Sequence, residues 1–139
     1  MLVYGTANPE GVGDSNYSGL YLTDTDIQQM VSDMKGVPVM IEHRGAGVGS
    51  VVTAWQHDGR MDVLLEIDNK SFESALASRF VVDGYCKELS LGYKVEMTRA
   101  VSGKLTASNK RVVELSLVKR GARDNCKIHG FQSLHKVIM

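Results

Sequence analysis

Three residues of types that cooperate in acyl-transfer chemistry stand on or beside segments with strand patterning: His43, Ser90 and Glu114. A serine hydroxyl becomes nucleophilic when a general base takes its proton. A third polar group then fixes the tautomer of that base and supports its positive charge. Ser90 lies within Lys87-Glu-Leu-Ser-Leu-Gly-Tyr-Lys-Val95, where polar and apolar residues alternate at the period of a half-buried strand. Leu89, Leu91, Tyr93 and Val95 share one face. Glu88, Ser90 and Gly92 share the other, so the hydroxyl is expected on an outer face beside a glycine that leaves room for another group. Residues 111–118 alternate likewise: Val113, Leu115 and Leu117 point one way, and Val112, Glu114 and Ser116 the other. His43 stands just past a short β segment, 37–41. Nothing in the spacing brings the three together, because catalytic groups converge in space rather than in sequence. The same residues also read as a solvated serine, a buried or solvated histidine, and a glutamate paired with a lysine. Ser116 shares the Glu114 face but lacks the glycine neighbour of Ser90, and ranks behind it as a nucleophile.

The elements that must position these groups follow from periodicity and punctuation. Residues 1–5 read as an opening strand, 6–16 as a loop rich in glycine and asparagine, and 18–22 as a second short strand. Thr23-Asp-Thr-Asp26 supplies N-cap candidates and early negative charge for a helix with the apolar stripe Ile27, Met30, Val31 and Met34, stopped by Lys35-Gly36. After the 37–41 segment, Gly45-Ala-Gly47 is expected to make the turn. Residues 48–56 and 61–67 are β runs joined through Asp58-Gly59, a strong hairpin signal. Asp68-Asn69 can cap a second helix with the stripe Phe72, Ala75, Leu76 and Phe80, stopped by Asp83-Gly84. Residues 98–109 read as a loop or hairpin tip, 119–124 as a basic loop, and 126–139 as a weakly patterned peripheral tail. Trp55 and Cys86 read as core residues, and His57 as an exposed turn residue. About seven β segments and two helices result. They predict an α+β, mainly β fold: a small, mostly antiparallel β-barrel of about seven strands flanked by two or more helices.

With 139 residues the chain is expected to form a single domain, 1–139, able to bury a core without staples. Lys+Arg and Asp+Glu balance at 16 each, so no charge excess argues for nucleic acid or for a basic partner. Cys86 and Cys126 lie far apart and the four histidines are scattered, which gives neither a CxxC pair nor metal-ligand spacing. Reduced thiols in an intracellular setting, with no cofactor and no metal, are the expectation. A metal-dependent hydrolase is disfavoured by the lack of a ligand cluster. No apolar run approaches the ~18 residues of a membrane span, and the first residues lack a basic n-region and an h-region.

Three blocks add a resemblance. Val37-Pro-Val-Met-Ile-Glu-His43-Arg-Gly-Ala-Gly-Val-Gly49-Ser-Val resembles the histidine block of the herpesvirus capsid maturation proteases (assemblins) and of the related tailed-phage prohead proteases. Glu88-Leu-Ser90-Leu-Gly-Tyr93 resembles their serine block, and Glu114-Leu-Ser-Leu-Val118-Lys-Arg-Gly-Ala-Arg123 their third block. The order His, Ser, third member matches that superfamily and differs from other serine hydrolases. The likeness covers roughly residues 35–125. The herpesvirus enzymes of vertebrates use a second histidine as third member; Glu114 is closer to the phage-type pattern.

The resemblance implies a serine endopeptidase that cleaves scaffold protein, and itself, during capsid or prohead maturation. Ser90 would be the nucleophile, His43 the base and Glu114 its orienting partner, with an oxyanion hole from the backbone N–H of Arg120 or Gly121 together with Arg123. Lys119 and Arg120 read equally as solvated surface charges. The family prefers Ala-Ser bonds, and Thr106-Ala107-Ser108 contains one. Partners implied are scaffold protein in the interior of the assembling capsid and a second copy of the chain, though this chain is much shorter than the herpesvirus enzymes. The setting would be a host nucleus for a herpesvirus or a bacterial cytoplasm for a phage. The alternative is a non-catalytic β-barrel module that binds scaffold or capsid protein.

Overall fold

The computed structural model describes residues 1–8, 22–57, 59–103, 105–121 and 125–132, with 105–107 as backbone only. In chain order the elements are β1 (Leu2–Asn8), α1 (Asp24–Asp33), β2 (Pro38–Ile41), β3 (Arg44–His57), β4 (Arg60–Ile67), α2 (Phe72–Val82), β5 (Glu88–Arg99), β6 (Leu105–Val118) and β7 (Ile128–Gln132). All seven strands join one sheet in the order β5-β6-β2-β3-β4-β1-β7. Every pairing is antiparallel except β2 with β6. The sheet curls until its edges meet at an isolated Glu88–Lys127 bridge, but no ladder joins β5 to β7. The expected barrel is therefore not closed: this is a mixed, curled sheet with two helices among the described residues.

α1 begins as its sequence dictates. The Thr23 hydroxyl accepts from the Asp26 N–H and the Asp26 carboxylate accepts from the Thr23 N–H, a reciprocal capping box. Ile27, Met30 and Met34 are buried, as the stripe predicts. They pack with Val3, Val39, Val48, Leu65, Leu89, Leu115 and Leu117 into one core. Each such side chain contributes roughly 1.5–3 kcal/mol by leaving water.

Several expectations are corrected. α2 is capped by Ser71 rather than Asp68 or Asn69, and it buries Ser74, Ala77 and Val81. Phe72 is 78% exposed, and Phe80 lies only partly buried against Tyr85, ring centroids 4.6 Å apart. Apolar residues surround this helix, so periodicity does not select a face. The face it uses carries small side chains that let the helix come close to the sheet. Trp55 is 38% exposed and stacks on Tyr4 rather than entering the core. The strand expected at 18–22 falls outside the described residues apart from Leu22, which is buried. Residues 98–109 are mostly strand, because β5 and β6 continue as a ribbon paired to Arg99–Leu105. Cross-strand backbone bonds hold this polar ribbon without a buried face, so it leaves no alternating signature. The tail holds β7, an edge strand on β1.

Candidate active site

The turn that carries His43 comes earlier than the glycines suggest. Ile41 pairs with Arg44, leaving Glu42 and His43 as a two-residue connection, both at positive φ (50° and 59°). That is the pattern of a type I′ hairpin turn, usually made by Asn-Gly or Asp-Gly. Holding a non-glycine residue in this left-handed region costs roughly 1–2 kcal/mol. Contacts to neighbouring segments offset it. The Glu42 N–H donates to the Leu117 carbonyl (3.0 Å), the His43 N–H to Ser116 Oγ (2.9 Å), and the Lys119 N–H to Glu42 Oε1 (2.8 Å). Gly45 and Gly47 lie inside β3 instead.

The two partners of the imidazole come from the β5–β6 hairpin. Ser90 opposes Ser116, and Gly92 opposes Glu114. The register slips between Gly92 and Tyr93, leaving Val113 as an extra residue on β6. The alternation expected along 111–118 therefore breaks there. Val113 is exposed and Val112 packs against the core, while Glu114, Leu115, Ser116 and Leu117 are all buried. Gly92 makes the room: a Cβ there would lie 2.1 Å from Glu114 Oε1. The parallel β2–β6 pairing, with Ile41 opposite Leu117, then sets the His43 turn over this hairpin.

The result is a continuous polar chain. His43 Nδ1 contacts Glu114 Oε1, and His43 Nε2 lies 3.1 Å from Ser90 Oγ. A carboxylate only accepts, so Nδ1 of the neutral ring carries the hydrogen and Nε2 is left to accept from the Ser90 hydroxyl. Ser116 Oγ donates to Glu114 Oε2 (2.7 Å) while accepting from the His43 N–H, so the chain closes on the residue it supports. Ser90 is only 5% exposed and Glu114 8%, so the face expected to be outer is covered. Chemically, this arrangement can move a proton from a serine hydroxyl onto an imidazole whose positive charge a carboxylate stabilises.

The loop after β6 is engaged by carboxylates. The Gly121 N–H donates to Glu88 Oε1 (2.8 Å), so one of the amides expected to face an oxyanion is occupied. Arg120 is exposed, and Arg123 lies outside the described residues. Sequence reasoning missed Ser116 as a bridge, and Glu42 and Glu88 as loop holders. For Ser116 a signal was present, since Glu114 and Ser116 are two apart on one strand face. Cys86 is buried as expected, and burial pushes its thiol up to about 11. Elsewhere, Asp62 is buried among Tyr4, Thr6 and Arg60, with His129 bonded to Thr6 Oγ1 at 2.7 Å. A cavity of about 550 Å³ borders Glu88, Cys86 and Ile128 but is not lined by Ser90, His43 or Glu114.

The curled sheet has the fold of a viral protease. Solved structures of Kaposi's sarcoma-associated herpesvirus protease, an assemblin, share it. The complex with a hexapeptide phosphonate inhibitor superposes with a TM-score of 0.62 over 91% of this chain and 63% of that chain, at 20% identity. A complex with a dimer disruptor gives 0.57, 91% and 73%, at 18% identity. A complex with an allosteric inhibitor gives 0.56, 92% and 75%, at 20% identity. The chain thus spans less than two thirds of the first of these proteins. No family model and no curated protein sequence matches the chain. The likeness read from the three sequence blocks therefore holds as a likeness of fold.

Proposed function

We propose that this chain is a serine endopeptidase of the capsid-maturation type, cleaving scaffold protein inside an assembling viral capsid or prohead. One observation carries the reading: the His43 ring is bonded at both nitrogens, to Ser90 and to Glu114, on a fold shared with a viral protease. Ser90 Oγ attacks the scissile carbonyl as His43 Nε2 takes its proton. The tetrahedral oxyanion is stabilised by loop amides, with Arg120 N–H the leading donor because Gly121 N–H is held by Glu88. His43 returns the proton to the leaving amine, and water repeats the sequence on the acyl-enzyme. Glu114 orients the ring throughout.

Ser90→Ala is expected to lower peptide hydrolysis by on the order of 10⁶. It should also abolish labelling by a peptide phosphonate while the circular dichroism spectrum stays that of wild type. Undiminished hydrolysis in that variant would sink the proposal; a wild type that is folded yet never labelled would favour the non-catalytic binding module. Self-cleavage at Ala107–Ser108 is a weaker expectation than its sequence suggests. Both residues are paired to β5, and the peptide bond must leave that ladder to reach a nucleophile.

The herpesvirus relatives include complexes with dimer disruptors, and we extend homodimerisation to this chain on that likeness. Sedimentation equilibrium across micromolar concentrations should give a dimer. A monomer throughout would overturn that part.

A further inference from the structure

The segment leaving β6 has its amides held in an alternating pattern. The Lys119 N–H donates to Glu42 Oε1 and the Gly121 N–H to Glu88 Oε1, both at 2.8 Å. Between them, the Arg120 N–H has no hydrogen-bond partner among the described residues. The two carboxylates stand at chosen places in the sequence. Glu42 immediately precedes His43 in the left-handed turn, and Glu88 stands two residues before Ser90 on β5. The segments that deliver the His43 and Ser90 side chains thus also grip the same loop, and Glu114 lies on β6, the strand that leads into it. Backbone N–H bonds to carboxylates are charge-assisted and roughly twice as strong as neutral ones. Two of them, spaced one residue apart, fix the plane of the peptide between.

We propose that Glu42 and Glu88 form a clamp that positions the 119–121 loop and presents the Arg120 N–H to the oxyanion. Neither carboxylate touches the reacting atoms; both are positioning residues, and their role rests on the Ser90 reading above. The clamp couples three parts of the site. Movement of the His43 turn or of the Ser90 strand carries the oxyanion donor with it, so base, nucleophile and donor keep one relative geometry.

The test uses the full chain with Glu88→Ala, Glu88→Gln, Glu42→Ala and Glu42→Gln. Both glutamates are only partly buried, so these variants are expected to fold. Amide hydrogen exchange at Lys119 and Gly121 reports the clamp directly, and kcat and KM on a peptide report its use. Removing the acceptor with alanine should speed exchange of the partner amide and lower kcat at least 10-fold with KM little changed. Loss of a whole oxyanion donor costs about 10²–10³. Glutamine keeps an acceptor oxygen and should stay within a few-fold of wild type in both readouts. Wild-type exchange in the alanine variants, or an unchanged kcat alongside faster exchange, overturns the proposal. If wild type hydrolyses nothing and takes no phosphonate, the protease reading falls and the oxyanion role with it. The exchange data still decide whether the clamp exists.

Discussion

Gly92 shows how finely the site is set at the scale of single residues. Its missing side chain is the space that the Glu114 carboxylate fills, and a Cβ there would stand 2.1 Å from Oε1. Gly92→Ala should displace the carboxylate from the imidazole and cost at least about 10²-fold in kcat, because misplacement on the ångström scale has that effect. Hydrolysis alongside a thermal melt checks it, and wild-type kcat in a folded variant would refute it. Ser116 is a second such point. It is 0% exposed and serves two partners, so Ser116→Ala strands both the His43 N–H and Glu114 Oε2. Urea denaturation should show a loss of roughly 1–3 kcal/mol; a midpoint equal to wild type would mean the bridge contributes nothing. Cys86 illustrates the opposite case of a potential nucleophile made inert. With its thiol pushed up to about 11, little thiolate exists near neutrality, so iodoacetamide should modify it only after unfolding. Modification at native rates comparable to free cysteine would contradict this.

At the scale of elements, α1 is tied down by an ion pair as well as by its apolar face. Lys110 Nζ on β6 lies 2.6 Å from Asp26 Oδ2, and the Lys110 side chain is largely buried. Burial of Asp26 raises its pKa, but the Lys110 and Thr23 hydrogen bonds together outweigh it and hold the carboxyl below its ordinary 3.8. A depressed folded-state pKa means that this contribution is complete above 3.8 and is lost as pH falls through the lower folded value. Wild type should therefore lose more of its urea midpoint between pH 5 and pH 3 than Asp26→Asn. Parallel losses would show that the pair does not couple to folding. α1 was also the element most open to sequence reasoning, since cap, stripe and stop all agreed. α2 was not, because its apolar residues lie all round and the neighbouring sheet, absent from any local window, chooses the face. The β5–β6 ribbon escaped for a related reason: a strand with no buried face need not alternate.

Over the whole molecule, the candidate residues could be named from the sequence, while the contacts that support them could not. The order His43, Ser90, Glu114 and the presence of a strand under each of the last two were open to reading; the bulge at Val113 that breaks the second alternation was not. The Glu42-His43 turn was not, because no glycine marks it; it exists only because Ser116, Leu117 and Lys119, more than seventy residues on, bond to it. The same holds for closure of the barrel, which depends on whether two edges pair after the sheet has curled, a matter on which local pattern is silent. The parallel seam between β2 and β6 has one more consequence. On one side of it lie β2, β3, β4, β1 and β7 and the histidine; on the other lie the β5–β6 hairpin, the serine and the glutamate. Hairpins form early because their contacts are local, whereas a seam between distant segments must wait for loop closure. A chain emerging or refolding therefore holds a serine without its base until that long-range joint is made. On the proposed protease reading, a half-folded copy would carry a serine that has nothing to activate it.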